Sequence, residues 1–306
     1  MATLARDWRL RPQAPEAASA LAAATGLPRT LAQLLLNRGI DTPQAARTFL
    51  NPRLSDLIDP DGIRDLPKAV AVILDAVRDK RPITIYGDYD VDGMTSASIL
   101  FRFFRSVGIE VRVFLPDRFR DGYGLNPDRV RDLIEAGTQV IITVDCGTTA
   151  VGAIALARSL GADVIVVDHH QLPKGELPDT TALINPHHPD CTFPFKDLCA
   201  AGLSFHLAMG LRAEMRRRGF FLDRAEPDIR ELLDLAAVGT IADLVPLRGL
   251  NRVLVSHGLR RFEAGKTAGT RALRSTAIGQ KSVTAAAIAF HVAPRLNAAG
   301  RLSTPM

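Results

Sequence analysis

Four short runs of β-branched and other apolar residues, separated by helical patterns, constrain the fold of this chain more than any other feature. The runs are PITIY (82–86), VRVFL (111–115), VIITV (140–144) and VIVV (164–167). The segments between them that carry helical spacing are residues 94–106, 127–136 and 149–160. Strands that alternate with helices in this way form βαβ units with parallel strands. The sequence therefore predicts an α/β fold, with a mostly parallel twisted sheet flanked by helices.

Helical patterns also lie on both sides of the predicted sheet. The N-terminal ones are LPRTLAQLLLNRGI (27–40), TPQAARTFL (42–50) and LPKAVAVILDAVRDK (66–80). Thr42 followed by Pro43 is typical of a helix start, and the chain becomes helical again after ALINP (182–186). We therefore expect three parts: a helical N-terminal lead-in over residues 1–80, an α/β core over 81–247 and a basic helical segment over 248–306.

Acidic residues and histidines follow three of the predicted strands at the points where these strands end. They are Asp88, Asp90 and Asp92 after the first strand, Asp145 after the third, and Asp168, His169 and His170 after the fourth. Parallel strands present their carboxyl ends at one edge of the sheet, where open α/β sheets bind their ligands. Alternate residues of an extended segment point to one side, so we expect the three carboxylates of GDYDVDG to converge.

Carboxylates crowded in this way repel one another unless cations bind between them. Oxygen ligands combined with one or two imidazoles suit Mn²⁺ or Mg²⁺, and this many carboxylates exceeds the needs of one ion. We therefore expect two divalent metal ions, a device that hydrolyses phosphate esters. The D-x-D-x-D-G pattern also resembles a calcium loop. The twelfth residue of such a loop would be Ile99 instead of the required glutamate, which excludes it.

Basic residues are concentrated toward the C-terminus. The whole chain has a net charge of +5. From Arg248 onward it contains ten lysines and arginines and one acidic residue, a net charge of +9, which leaves −4 for the residues before it. We expect a polyanionic partner for this segment, most simply nucleic acid. A solvated basic helix face is the alternative.

The sequence gives no indication of export or membrane insertion. Its apolar stretches are shorter than the roughly 18 residues that a membrane span needs, and MATLARDWRL lacks the apolar centre of a signal peptide. The three cysteines, Cys146, Cys191 and Cys199, are far apart and cannot all pair, which fits a reducing compartment. We therefore expect a cytoplasmic protein without membrane contacts.

Several motifs in a fixed order resemble those of the DHH phosphoesterase superfamily, and more closely its RecJ branch of single-strand-specific DNA exonucleases. YGDYDVDG, TVDCG and VVDHH resemble the first three motifs, and VGTIADLVPL (238–247) resembles the motif that ends in a metal-binding aspartate. PDRFRDGYGLN (116–126) and HVAPRLNAAGR (291–301) are similar to stretches typical of the RecJ branch. The resemblance implies a two-metal phosphodiesterase that degrades single-stranded DNA from 5′ to 3′ in DNA repair and recombination.

The resemblance also implies the residues of the site. The ligands of the two metal ions would be Asp90, Asp92, Asp145, His169 and Asp243. Asp145 would bridge the ions, His170 would face the scissile phosphate, and Asp88 would be an indirect or weak ligand; these three are the predicted catalytic residues. The predicted substrate contacts are Arg118, Arg295, Asn297 and Arg301. A helix cap is the alternative for Asn297, and an ion pair for Arg295.

The chain departs from the family pattern in two places. Tyr86 stands where many DHH relatives have a histidine, which favours the RecJ branch over those relatives. The chain also ends at Met306, where RecJ-like chains continue into a DHH-associated domain. We therefore expect a catalytic-domain fragment, in which residues 248–306 form a connector toward that second domain.

The resemblance further implies single-stranded DNA as the partner, with a single-strand-binding protein and a helicase, and we expect a monomer. Two other functions stay open. One is a DHH phosphatase or phosphodiesterase that cleaves pyrophosphate, short oligonucleotides or cyclic dinucleotides. The other is a non-catalytic replication partner with the DHH fold. That role tolerates the loss of metal ligands, whereas this sequence fills every ligand position.

Overall fold

The computed structural model describes residues 11–302 and the side chains of residues 11–300. These residues form two compact units, one up to Asp56 and one from Leu57 onward. The first unit contains helices α1 (Pro15–Thr25), α2 (Arg29–Leu36) and α3 (Pro43–Leu50). As predicted, the Thr42 side chain accepts a hydrogen bond from the first turn of α3. The division at residues 80 and 247 stays a prediction.

The second unit is built on a five-stranded sheet in the order β2-β1-β3-β4-β5, and every pair of neighbours is parallel. The strands are β1 (Ile83–Gly87), β2 (Arg112–Phe114), β3 (Val140–Val144), β4 (Asp163–Val167) and β5 (Ala182–Ile184). The first four coincide with the predicted runs, and β5 lies in the ALINP segment. The predicted α/β fold with a parallel sheet is confirmed.

Helices connect the strands and continue to the end of the described chain. They are α4 (Leu66–Arg78), α5 (Val91–Ser106), α6 (Pro127–Glu135), α7 (Val151–Ser159), α8 (Ala200–Arg217), α9 (Leu233–Ala242), α10 (Gly249–Ala264), α11 (Ala268–Leu273), α12 (Ala285–Ala287) and α13 (Ala293–Leu302). π-Helical turns follow α11 (Arg274–Ile278) and α12 (Ile288–Val292). Among the helices of residues 11–302, none has the length and apolar character to cross a membrane.

Helices cover both faces of the sheet. Successive side chains of a buried strand point to opposite sides, so both faces of the sheet are apolar and need a covering layer. Ile141, Val164 and Val166 pack on one face with residues of α6 and α7, such as Val130 and Ile154. On the other face, α5 contacts β1, α8 contacts β4 and α4 contacts β5. This second layer brings the first turns of α5 and α8 to the carboxyl edge of the strands.

The C-terminal helices form a separate apolar cluster that holds the end of α9 in place. Val238 and Ile241 of α9 pack there with Phe262 of α10 and with Ile288. Val91, the first residue of α5, belongs to the same cluster. The packing therefore fixes the end of α9 beside the beginning of α5.

Gly258 allows α10 to cross closely over α9, and we predict that replacing it destabilises the protein. A Cβ atom at Gly258 would lie 2.1 Å from the carbonyl oxygen of Leu233 and 2.4 Å from the Cβ atom of Ala237. Gly258→Ala should lower the free energy of unfolding by about 1–3 kcal/mol, because the backbone must move. In α7, a Cβ atom at Gly152 would have no such neighbour within 4 Å, so Gly152→Ala is the matched control. It should be neutral or stabilising, since alanine favours helices. Urea unfolding of both variants tests this, and equal losses would contradict it.

Candidate metal centre

Three acidic residues occupy equivalent positions, each one residue beyond the end of a strand. The backbone N–H groups of Asp88, Asp145 and Asp168 donate to the last carbonyl oxygens of β3, β4 and β5 at 3.2, 3.0 and 3.0 Å. Each acid thus continues the parallel ladder by one hydrogen bond. Asp145 has a positive φ of 62°, a backbone conformation that aspartate tolerates better than most residues. The ladder therefore anchors all three carboxylates at one edge of the sheet, as predicted.

The remaining two acids of GDYDVDG are placed by a helix and not by an extended segment. Asp90 is the N-cap of α5 and accepts from the backbone N–H of Gly93 at 3.0 Å, and Asp92 lies in the first helical turn. The prediction that alternation along an extended chain makes these carboxylates converge is therefore wrong for Asp92. Gly93 allows the tight turn, because a Cβ atom there would lie 2.5 Å from the carbonyl oxygen of Asp88.

Asp92 is buried at the N-terminus of α8. Its two carboxylate oxygens accept from the backbone N–H groups of Ala200 and Ala201 at 2.8 and 2.9 Å. These groups have no partner within their own helix, and the helix dipole adds a favourable interaction with a negative charge. Burial nevertheless raises the pKa of Asp92 to about 6. The α8 N-terminus therefore fixes the position of this carboxylate without compensating fully for its burial.

His169 brings three carboxylates together. Its Nε2 atom lies 3.3 Å from Oδ1 of Asp145, 3.8 Å from Oδ2 of Asp92 and 3.7 Å from Oδ2 of Asp243. Burial lowers the pKa of His169 to about 4, so its imidazole is neutral at pH 7. Both Nε2 of His169 and Oδ1 of Asp145 are buried and have no hydrogen-bond partner among the residues whose side chains the structure describes. Buried polar atoms without partners are rare, and a metal ion between them would satisfy both.

Asp243 enters this group from a different element, as the residue that follows the last turn of α9. Burial raises its pKa to about 7, and the charge of Asp92 acts in the same direction. The residue pattern alone did not single out Asp243, because its segment is an apolar helix. The feature that could have indicated a site residue is its position at the end of that helix, because side chains at helix ends contact neighbouring elements.

Asp168 has a different role from the other strand-end acids. Its carboxylate accepts from the backbone N–H groups of Thr148, His169 and His170 and contacts Nδ1 of His170 at 2.7 Å. Although burial acts in the opposite direction, these hydrogen bonds hold the pKa of Asp168 well below its usual range. Asp168 is therefore an anion that orients His170, and its lone pairs are already used.

His170 is directed outward by this contact. Its hydrogen bond with Asp168 raises the pKa of His170, so the charged imidazolium is favoured. The opposite ring nitrogen, Nε2, lies 3.4 Å from the hydroxyl oxygen of Tyr123, a residue that is 63% exposed. The structure thus presents Nε2 of His170 at the surface of the site, next to an accessible aromatic ring.

Among the described residues, the donor atoms form three groups, and within each group the atoms lie no more than 4.8 Å apart. The groups are Asp145, His169 and His170; Asp92, Cys199 and Asp243; and Asp88, Asp90 and Asp145. Asp145 belongs to two of them. Burial, together with the neighbouring carboxylates, raises the pKa of Asp145 well above its usual range and that of Asp88 to about 7. These groups can hold divalent cations, and all five predicted ligands and Asp88 belong to them. Cys199 is an additional member that the sequence did not predict.

The predicted substrate residues are more scattered. Arg118 is exposed and its guanidinium lies 5.4 Å from the ring centroid of Tyr89, which is next to Asp88. Asn297 accepts from the backbone N–H of Val91 at 3.1 Å and so caps α5. Exposed Arg295 donates to the backbone oxygen of His291, in the π-helical turn that precedes α13. The side chain of Arg301 lies outside the described part of the chain. A substrate role for these four residues stays a prediction.

Comparisons with known proteins agree with this geometry. Residues 82–240 match the family model described as DHH family, N-terminal domain. The single-stranded-DNA-specific exonuclease RecJ of Bacillus subtilis (strain 168) is 41% identical over 273 residues, which cover 89% of this chain and 33% of that protein. The RecJ of Escherichia coli (strain K12) is 41% identical over 281 residues, covering 90% and 48%. The chain thus spans between a third and a half of these relatives.

Solved structures show the same relationship. RecJ in complex with Mn²⁺ from Thermus thermophilus superimposes with a TM-score of 0.78 at 33% identity, covering 96% of this chain and 40% of that one. A second structure, an exonuclease RecJ bound to manganese, gives a TM-score of 0.71 at 36% identity and covers 83% and 60%. The likeness therefore extends from the DHH region to nearly the whole of this chain.

Proposed function

The chain belongs to the DHH family, and we propose that it is the metal-binding part of a single-strand-specific DNA exonuclease of the RecJ type. The observation that carries this proposal is a pair of buried atoms at the centre of the site, Oδ1 of Asp145 and Nε2 of His169, for which residues 11–300 supply no hydrogen-bond partner. They lie 3.3 Å apart among further carboxylates. In an ion pair that only stabilises the fold, the buried polar atoms have hydrogen-bond partners. A bound metal ion would instead take both of these atoms as ligands. The similarity to RecJ proteins supports the same chemistry.

We infer that two divalent ions, Mn²⁺ or Mg²⁺, bind here. The donor set fits these hard cations, because it consists mainly of carboxylate oxygens with neutral imidazole nitrogen. The proposed ligands are Asp90, Asp92, Asp145, His169 and Asp243, with Asp88 nearby. Bound ions of this kind activate water and stabilise the attacking and leaving oxygens of a phosphodiester. Asp145 is the proposed bridging residue, since it belongs to two donor groups.

The residues around the ions supply orientation and proton donation. Asp168 holds His170 by a 2.7 Å hydrogen bond and favours its charged form. Nε2 of His170 then donates a hydrogen bond to a phosphate oxygen at the surface of the site. A positioned acid of this kind contributes typically about 10²–10⁴-fold to a rate. His170 is thus the proposed catalytic residue that contacts the substrate.

Single-stranded DNA is the proposed substrate. Exposed aromatic rings, Phe119 and Tyr123, and exposed Arg118 lie on the segment 116–126 that reaches the site, and bases stack on such rings. Exposed basic residues on the C-terminal helices and the loops between them offer phosphate contacts: Arg260, Lys266, Arg271, Lys281 and Arg295. Other basic residues there are already paired, for example Arg248 with Asp197. The basic segment therefore supports binding of a strand, with less free charge than its net charge suggests.

The wider biological role rests on the similarity to RecJ proteins. We propose 5′-to-3′ degradation in DNA repair and recombination, with a single-strand-binding protein and a helicase as partners. The chain would act in the cytoplasm as a monomer.

We predict that Asp145→Asn abolishes hydrolysis of a 5′-labelled single strand in the presence of Mn²⁺. The substitution removes the charge that the two ions would share and keeps the shape of the side chain. Asp179→Asn, which changes an exposed acid on the protein surface, is the control and should keep full activity. The assay compares a single strand, a duplex, a dinucleotide and pyrophosphate. If the protein cleaves only pyrophosphate or the dinucleotide, the proposed exonuclease activity is wrong and a small-substrate phosphatase is favoured. Normal turnover by Asp145→Asn would contradict the assignment of Asp145 as a metal ligand.

We also predict that the two adjacent histidines differ in what their loss affects. His169→Ala should weaken Mn²⁺ binding, because it removes an unpartnered nitrogen from the centre of the donor groups. His170→Ala should leave Mn²⁺ binding nearly unchanged and lower turnover by about 10²–10⁴-fold. Calorimetric titration with Mn²⁺ and single-turnover kinetics on both variants separate the two effects. An equal loss of metal binding would mean that both imidazoles are ligands.

A further inference from the structure

Asn185 is the residue that follows β5, and the proposed hydrolysis described so far does not use it. Asp145 follows β3 and Asp168 follows β4 in the same way, so three neighbouring strands place a polar residue at the same edge of the sheet. Asn185 is fully buried there. It carries an amide at the position where the two neighbouring strands carry a carboxylate.

The buried amide of Asn185 holds the backbone of His170. Its Nδ2 atom donates to the backbone oxygen of His170 at 2.9 Å and to Oγ1 of Thr148 at 3.1 Å. Its Oδ1 atom accepts from the backbone N–H of His187 at 2.9 Å. These partners fix the direction of the amide, because a backbone N–H only donates and a backbone oxygen only accepts. An ionised carboxylate at this position could not donate to His170, so the contact needs an amide.

The same amide is linked to the carboxylate that orients the imidazole of His170. Thr148, whose hydroxyl accepts from Asn185, donates through its backbone N–H to Oδ2 of Asp168 at 3.0 Å. The other oxygen of Asp168 contacts Nδ1 of His170 at 2.7 Å. Asn185 therefore ties the backbone of His170 to the segment that holds Asp168. Because the ring of His170 is exposed, its direction depends on these inner contacts.

We propose that Asn185 is a positioning residue of the hydrolysis, which acts through His170 by fixing the point from which the imidazole reaches the scissile phosphate. The inference rests on the proposed function, in which Nε2 of His170 contacts a phosphate oxygen. Without the amide, the backbone oxygen of His170 loses its buried donor and the imidazole is no longer held in one place. A misplacement of about 1 Å can lower a rate about 100-fold. In the described part of the chain, the side-chain partners of Asn185 include none of the proposed metal ligands.

Kinetics of Asn185→Ala test the proposal, with Asn251→Ala as the matched control. Asn251 is also fully buried and donates through Nδ2 to two backbone oxygens, those of Asp197 and Pro246, and neither residue belongs to the donor groups. Asn185→Ala should lower kcat on a single strand by about 10- to 100-fold, with KM and Mn²⁺ binding nearly unchanged. Asn251→Ala should keep a normal kcat. If Asn185→Ala does not fold, Asn185→Asp takes its place, because it keeps the shape of the side chain and removes the amide donor.

A double-mutant cycle separates positioning from general damage to the fold. Adding Asn185→Ala to His170→Ala should lower kcat no further, since the amide acts through an imidazole that is then absent. A further loss in the double variant would mean that Asn185 acts independently of His170. That result, a normal kcat in folded Asn185→Ala, or an equal loss in Asn251→Ala overturns the inference.

An NMR spectrum of the imidazole nitrogens gives a test that needs no substrate. In the protein with Mg²⁺, the Nδ1 resonance of His170 reports the contact with Asp168, and His170→Ala assigns it. The resonance should shift in Asn185→Ala and stay in place in Asn251→Ala. If the unsubstituted protein cleaves no single strand and the resonance still depends on Asn185, the proposed function is wrong and the positioning of His170 stands. A resonance that does not move in Asn185→Ala overturns the inference, whatever the protein cleaves.

Discussion

Repulsion among buried carboxylates is the constraint on which the rest of this structure depends. Asp88, Asp92, Asp145 and Asp243 meet at one edge of the sheet, and burial raises the pKa of each. Repulsion between the carboxylates disfavours ionisation of all four at neutral pH. The fold nevertheless places them close together. Within the described part of the chain, Nε2 of His169 and Oδ1 of Asp145 are buried without a hydrogen-bond partner. Bound cations are the physical means of resolving both problems.

The fold stabilises the individual anions by separate means. The N-terminus of α8 holds Asp92 with two backbone N–H groups, and three backbone N–H groups with one imidazole hold Asp168. No described residue donates a hydrogen bond to Oδ1 of Asp145. The acids that accept backbone hydrogen bonds therefore differ in their surroundings from Asp145. Asp168 positions a histidine, whereas Asp145 belongs to two of the donor groups and is the proposed bridging ligand.

The strands and their terminal acids could be predicted from the sequence because parallel strands must share a carboxyl edge. The residue pattern alone could not distinguish Asp168 from Asp145, since both follow a buried strand, and only the resemblance to the DHH family separates them. Their difference arises from Thr148 and His170, which are placed by loops. The expectation that alternation along an extended chain brings Asp92 to its neighbours is incorrect, because α5 begins at Val91 and therefore earlier than its periodicity indicates. Cys199 and Asp243 come from distant helices, and their meeting depends on the packing of α8 against α9, which local patterns do not encode.

The most direct measurement of the central claim is anomalous X-ray scattering at the manganese edge from crystals of this chain grown with Mn²⁺. The account predicts two peaks about 3.5–4 Å apart, both within bonding distance of the Asp145 carboxylate, with Nε2 of His169 bound to one of them. A single peak, or peaks that leave Asp145 without a metal contact, would contradict the claim that paired cations resolve the repulsion at this edge of the sheet.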